Sequence, residues 1–304
     1  MNAGFMRKPI LVTGSHRSGT TWVGKMLTLS PFVAYIEEVF NPNPGHPLSH
    51  KGIFRHSFTY ITEENEGHYV QEIKDVLHFK FGCRSRRLGG LIPSKRFLYR
   101  WTYRMFSLPQ PLLKDPIAAL SAEWLANKFD MNVIVLIRHP AAFVSSLIRL
   151  NWRFDFNAFL KQKRLMEDWL YPLEEKIRRQ PKDLIEEASL SWLCIYCVMD
   201  AYIQRHPEWI VKRHEDISLA PTKEFAEIYE RLGIPFTSRI ARRIDEYSCL
   251  SNPTVAPNNV EHYLKRDSQA LIKHWKSNLS TSEINRIRDT VEVLASKFYG
   301  EKDW

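Results

Sequence analysis

Val12-Thr13-Gly14-Ser15-His16-Arg17-Ser18-Gly19-Thr20-Thr21-Trp22 joins an apolar run to a helical one through a short polar loop. Ile10, Leu11 and Val12 form the apolar run, and Trp22, Val23, Met26 and Leu27 recur at the spacing of one helix face. The stretch reads as strand, loop and helix. Glycine at both ends of the loop lets the backbone curl until successive N–H groups point inward, and the helix opening at Thr20 and Thr21 adds its positive end. An anion fits there. Four residues separate Gly14 from Gly19, as in the P-loop of nucleoside triphosphatases, but Thr20 stands where that loop has its lysine and Arg17 lies inside the loop. A guanidinium fork suits several oxygens of a phosphate or sulfate without a metal ion. The alternative is a plain turn between strand and helix with no ligand.

A second such stretch lies more than a hundred residues on. Residues 133–137 are continuously apolar, as in a parallel strand covered on both faces, and Arg138-His139-Pro140 follows. Pro140 suits a first helical turn, so Phe143, Val144 and Leu147 belong to a helix that also carries Ser146. Ser146 comes eight residues after Arg138, just over two turns into that helix, so both can face one strand-end crevice and hold a second phosphate. A magnesium-dependent P-loop enzyme typically ends such a strand in aspartate; arginine stands here, which points to metal-free chemistry. Alternatively, Arg138 pairs with a carboxylate and Ser146 pads a helix interface.

Together the two stretches resemble the sulfotransferase superfamily, whose donor is 3′-phosphoadenosine 5′-phosphosulfate (PAPS) and whose nucleotide product is adenosine 3′,5′-bisphosphate (PAP). In that family a loop with R-S-G-T-T or K-S-G-T-T holds the 5′-phosphosulfate, and an arginine followed eight residues later by a serine holds the 3′-phosphate. Arg17-Ser18-Gly19-Thr20-Thr21 and the pair Arg138 and Ser146 match in order and approximate separation. Lys114-Asp115-Pro116 is similar to the K-D-P or K-S-P of Golgi-type and bacterial members, and Arg213-His214-Glu215-Asp216 to their Y-E-D-L, with His214 departing from the usual tyrosine. The resemblance spans most of the chain. It implies an α/β fold, a P-loop-like doubly wound parallel sheet flanked by helices, in a single domain over residues 1–304. It assigns His16, Arg17, Ser18, Gly19, Thr20, Thr21, Trp22, Arg138 and Ser146 to the donor and implies no metal.

The resemblance also implies a base. In tyrosyl-protein sulfotransferases a glutamate stands twenty-one residues after the loop arginine, in a Glu-Glu pair; Glu37 and Glu38 occupy that place here, Glu38 being the counterpart. Residues 33–36 read as a second strand, so Glu38 emerges near the carboxyl edge, where open parallel sheets place ligands. A carboxylate there can take the proton that an acceptor hydroxyl loses as it attacks sulfur. Cytosolic members use a histidine in K-x-H, and Lys114-Asp115-Pro116 has none. Arg17, the loop amides and Lys114, at another strand end, are expected to stabilise charge on the sulfuryl oxygens and the departing phosphate. The late pair Lys265 and Arg266 resembles, loosely, the basic region that closes over the donor, although the family's R-K-G is absent; solvated loop charges are the alternative.

The 304 residues carry a formal charge of +9 and an isoelectric point near 9.3, which favours anionic partners, the donor among them. Much of the excess lies in Arg84, Arg86, Arg87, Lys95, Arg96, Arg100 and Arg104, interleaved with Phe97, Tyr99, Trp101, Tyr103 and Phe106. That stretch allows an amphipathic helix with solvated charges, a surface for anionic lipid or polysaccharide, or a nucleic-acid face. No recognised nucleic-acid module accompanies it, so no nucleic-acid partner is expected. No apolar stretch approaches membrane-spanning length, and cleavage of a signal peptide would destroy a loop beginning at Gly14, so a cytoplasmic protein is expected. Four cysteines fit a reducing compartment. Cys194 and Cys197 lie in an apolar run suited to helix packing, and Cys83 and Cys249 are isolated, so no zinc site is expected.

Residues 41–110 open on Asn41-Pro42-Asn43-Pro44-Gly45-His46-Pro47, which no regular element accommodates, and read as a helical or irregular insertion over the active site on the acceptor side. A strand ending at Lys114, helices over 118–129, 154–179, 185–205, 222–232 and 281–298, and a last strand over 209–212 are expected, with 255–280 as a donor-closing loop. Phe58, Tyr60, Tyr69, Trp152, Phe154 and Phe156 can line an acceptor pocket, or pack in the core as most aromatics do. The acceptor expected is a hydroxyl of a carbohydrate or small secondary metabolite, with an amine left open. Two other classes stay in view: a nucleotide-dependent kinase, against which the missing loop lysine counts, and a non-catalytic polyanion-binding module.

Overall fold

Apolar runs without polar alternation make strands covered on both faces; the described residues of the computed structural model form five strands, of which the central three are almost wholly buried. The structure describes residues 7–43, 53–80, 101, 102, 105, 109–254 and 264–304. β1 (Ile10–Gly14), β2 (Val33–Glu37), β3 (Gln110–Lys114), β4 (Asn132–Ile137) and β5 (Ile210–Arg213) form one sheet in the order β2-β3-β1-β4-β5, with every neighbouring pair parallel. The principal helices are α1 (Thr20–Leu27), α2 (Val70–Leu77), α3 (Ala122–Phe129), α4 (Pro140–Leu150), α5 (Leu184–Arg205), α6 (His214–Leu219), α7 (Pro221–Arg231), α8 (Ser238–Ser248) and α9 (Thr281–Ala295).

Successive strand residues face opposite sides of the sheet. Leu11, Leu113, Val133, Val135 and Ile137 share one core with Trp192 and Tyr196 of α5 and Val291 of α9. Ile10, Val12, Leu112, Ile134 and Leu136 share the other with Val23 and Met26 of α1 and Phe225 and Ile228 of α7. The sheet is doubly wound, the α/β class expected. Because the chain passes to one side of β1 for β2 and β3 and to the other for β4 and β5, strand order reverses beside β1, and a crevice opens outside the carboxyl ends.

Two expected helices differ. Over 118–129 the chain first forms a 3₁₀-helix, Pro116–Ser121, opened by Asp115, whose side chain accepts from the amides of Ile117 and Ala118; α3 follows. The single helix expected over 154–179 is broken into Asn157–Leu160, Lys163–Leu165, a π-turn at Met166–Leu170, a 3₁₀-turn at Tyr171–Leu173, and Glu174–Arg179. Pro172 removes an amide donor there. Gln162 turns its amide outward, accepting from Tyr60 N–H at 2.7 Å and donating to Phe58 O at 3.2 Å. The other helices and β5 fall within a few residues of expectation, and Ser280 and Glu283 form the reciprocal cap of α9. α6 and α8 were not anticipated. Cys194 and Cys197 are unbridged on α5, Cys194 fully buried. Of the basic-aromatic stretch 84–106, only Trp101, Thr102 and Met105 lie within the described residues; Cys83 and residues 255–263 lie outside them. Among the described residues no helix is long and apolar enough to cross a membrane.

Candidate functional site

β1 ends at Gly14 with φ 144°, where a Cβ would lie 2.2 Å from the carbonyl oxygen of Leu136 in β4. Glycine is what lets the strands meet this closely just before the loop. The loop folds on itself: Ser18 donates from both N–H and Oγ to Ser15 O, at 3.2 and 2.6 Å, and Arg17 is left-handed, φ 65°. Tyr196 of α5 anchors it, accepting from Ser15 N–H at 3.2 Å and donating to Leu136 O at 2.8 Å. Gly19 is also left-handed, φ 97°, and an added Cβ would sit 2.5 Å from His214 Nδ1. No side chain caps the start of α1, and uncapped first amides of a helix are the kind that suit an anion.

The end of β4 reaches the same loop. Arg138 donates from Nη1 to Arg17 O at 2.6 Å, and Arg17 donates from Nε to Ser146 Oγ at 3.2 Å. The two stretches read separately in the sequence as candidate anion sites are therefore neighbours. Arg138 Nε is buried without a hydrogen-bond partner; burial lowers the pKa of this arginine, with Glu215 opposing. Glu215, whose carboxyl burial pushes up, accepts from His139 N–H at 3.1 Å and Tyr299 OH at 2.9 Å, fixing the turn that carries Arg138. His139 is enclosed by Trp275, Tyr299 and Trp304 at centroid distances of 4.9, 4.8 and 4.5 Å. Burial, then Lys276 and Arg138, lowers its pKa to about 3.

A cavity of about 920 Å³ opens over these groups, and Glu38 lines it while Glu37 does not. Glu38 follows β2 in a left-handed conformation, φ 40°, with its N–H donating to Lys114 O at 2.9 Å. Its carboxylate accepts from Lys114 Nζ at 2.6 Å and Asn41 Nδ2 at 3.0 Å. Lys114 is fully buried and absent from the cavity lining. Expected to face the transferring group, it stands behind Glu38 instead.

His16, Arg17, Gly19, Thr20, Thr21 and Trp22 line the cavity from the loop and α1, and Arg266 joins them from the late segment. Ser18 is fully buried and serves the loop's own turn. Lys265 is exposed, with its ammonium 5.7 Å from the Tyr247 ring centroid. His16 packs among Phe143, Phe58 and Phe154; burial, then Arg17, lowers its pKa to about 4, with Glu38 opposing. His214, edge-on to Trp22, is lowered to about 3 by burial and Arg138. Both rings are neutral near pH 7. Of the acceptor-side aromatics, Phe58, Trp152 and Phe154 line the cavity, whereas Phe156 is core, Tyr60 donates to Asp168 and Tyr69 stacks on Phe54. Sequence reading missed Ser145, Arg149 and Asn278, which also line it. Arg149, three residues past Ser146 and so on the same helix face, could have been found from its spacing.

A profile of the sulfotransferase family matches residues 9–238, from β1 to the first residue of α8. The chain belongs to that family. One relative, Carbohydrate sulfotransferase 3 of Tetronarce californica, is 25% identical over 241 residues, covering 73% of this chain and 47% of that protein. The chain thus spans about half the length of that curated relative. Among solved structures, the sulfotransferase domain from the curacin biosynthetic pathway superposes with a TM-score of 0.52 at 14% identity, covering 95% of this chain and 99% of that domain. Sulfotransferase STF9 from Mycobacterium avium gives 0.48 at 14% identity, covering 98% of this chain and 78% of its own. At such identity the likeness to the curacin domain shows the family's fold in this chain.

Proposed function

We propose that this chain moves a sulfuryl group from PAPS to a hydroxyl of a carbohydrate or small secondary metabolite. The observation that carries the reading is the convergence of Arg17, Arg138, Ser146 and Glu38 on one cavity. The residues fit a nucleotide with phosphates at both ends. Arg138 presents a buried, unpartnered Nε, and the space beside Gly19 would be filled by any Cβ. Arg17 and the first amides of α1 hold the 5′ end, Arg138 and Ser146 the 3′-phosphate, and Arg266 approaches from the late segment.

Glu38 takes the proton from the acceptor hydroxyl as its oxygen bonds to sulfur and the bond from sulfur to the phosphate oxygen breaks; PAP departs. Arg17 and the loop amides stabilise the charge that builds on the sulfuryl and phosphate oxygens. Lys114 orients Glu38 through their 2.6 Å contact. Phe58, Trp152 and Phe154 offer apolar faces of the kind that suit sugar rings and aromatic alcohols, and the name of the relative from Tetronarce californica supports a carbohydrate. Residues of the 41–110 segment, Asn41, Pro42 and Phe58 among them, line the cavity, which supports an acceptor-side cap. Transfer from labelled PAPS to a panel of sugars and small alcohols tests the proposal: turnover that depends on Glu38 supports it, and no turnover with any acceptor counts against it.

A further inference from the structure

We infer that Asp115 is a positioning residue that holds Glu38 in register with the donor loop, an inference that rests on the sulfotransferase reading above. Asp115 follows Lys114 at the end of β3 and has no exposed surface. Its Oδ1 accepts from the amides of Ile117 and Ala118 at 3.0 and 3.2 Å, which caps the helical turn behind it. Capping needs only one oxygen, and serine or asparagine supplies it equally well. The second oxygen does something else: Oδ2 accepts from Phe40 N–H at 2.7 Å, across to the turn after β2.

That turn carries Glu38 in a left-handed conformation, φ 40°, which glutamate rarely adopts and which persists only where the surroundings impose it. Glu38 is held on both sides, by its own N–H on Lys114 O and by Phe40 N–H on Asp115. The backbone of Asp115 reaches the donor side. Its N–H donates to Val12 O at 3.0 Å, and its carbonyl accepts from Thr13 Oγ1 at 2.8 Å; both partners lie on β1, the strand that runs into the Gly14 loop. One residue thus touches the base's turn through its side chain and the donor's strand through its backbone.

The clamp depends on charge, because three N–H donors point at two oxygens and a protonated Oδ2 would meet Phe40 with a hydrogen of its own. Burial first, then Glu38, pushes the Asp115 carboxyl up to about 7, while the Phe40 amide, Lys114 and the Ile117 amide oppose. Ionisation in this range makes the turn looser on the acid side of neutrality.

The test compares wild type with Asp115→Asn and Asp115→Ser, both of which keep a capping acceptor. An asparagine amide or a serine hydroxyl cannot serve both the cap and the Phe40 N–H. The expected result is a fall in kcat of about tenfold or more, the scale of a misplaced catalytic group, with the Kd for PAP by calorimetry unchanged. Wild-type kcat rises through about pH 7, and that limb is absent in Asp115→Asn. Unchanged kcat and pH profile would overturn the inference, and so would parallel losses of PAP affinity and kcat, which mean a general structural role. Amide exchange in the wild type reads the clamp without activity or a variant: protection at Phe40, corrected for the intrinsic rate, falls as the pH drops through about 7, and constant protection overturns the inference. A wild type that fails to bind PAP while showing this exchange behaviour would sink the sulfotransferase reading alone.

Discussion

Lys114 Nζ lies 2.6 Å from Glu38 Oε1, with the lysine side chain wholly buried and the glutamate keeping 22% of its surface. The asymmetry leaves Glu38, the proposed base, as the member of the pair that lines the cavity. Glu38→Gln is nearly isosteric and loses the ability to take a proton. Its turnover is expected to fall by about a hundredfold to ten-thousandfold, with PAP affinity unchanged by calorimetry. A variant with wild-type transfer would move the base elsewhere.

Arg138 has one hydrogen bond to the loop and an unpartnered Nε. A charge-assisted hydrogen bond contributes about 1.5–3 kcal/mol, so Arg138→Ala is expected to raise the Kd for PAP by roughly tenfold to a hundredfold. At saturating donor the loss in kcat is smaller than the loss in affinity. Equal affinity of the variant for PAP and adenosine 5′-monophosphate is the further expected sign that the 3′-phosphate contact has gone; a preserved preference for PAP contradicts the assignment.

Gly19 is tied to its place twice, by φ 97° and by the 2.5 Å that would separate a Cβ from His214 Nδ1. Gly19→Ala therefore distorts the loop where the amides of α1 begin. The expected outcome is weaker PAP binding in both Gly19→Ala and Gly19→Ala/His214→Ala, with partial recovery in the double variant because one of the two constraints has been relieved. Titration of both proteins checks this, and full affinity in the single variant would contradict it.

The buried histidines make stability sensitive to acid. His16, His139 and His214 have pKa values of about 4, 3 and 3 in the folded chain, against about 6.5 when unfolded. Their stabilisation is present above pH 6.5 and is lost as the pH falls toward 3–4, because only the unfolded chain takes up these protons. Asp115 and Glu215 act in the opposite sense, since their raised values let the folded chain bind protons first. Each histidine therefore contributes a fall in the urea midpoint between pH 7 and 5. His139→Phe, which suits the aromatic cage around it, flattens that dependence; an unchanged slope would show that His139 is not the group titrating.

Much of this site was legible because its signals are local. The loop from Gly14 to Gly19, the eight-residue step from Arg138 to Ser146 and the position of Glu38 after an apolar strand are short patterns whose geometry the backbone period fixes. What escaped notice depends on contacts between distant residues. Tyr196 meets Ser15 across 181 positions, Glu215 meets His139 across 76, and Trp304 closes on His139 from the far end of the chain; none has a spacing to read. Lys114 was placed correctly at a strand end, but its complete burial follows from packing. α8 is a different case, since Ile240, Ile244 and Tyr247 in Ser238–Ser248 repeat at helical spacing and were overlooked. The segment 154–179 misled because its helical composition yields to Pro172 and to the bonds of Gln162 with another segment.

The central claim is that Arg17 and Arg138 serve opposite ends of one bisphosphorylated nucleotide. The most direct measurement is calorimetric titration of the full chain with PAP and, separately, with ADP, both in EDTA. The account predicts one PAP bound per chain, tighter than ADP by at least about tenfold, with that margin lost in Arg138→Ala. Equal binding of the two nucleotides, or binding that appears only when magnesium is restored, would contradict it.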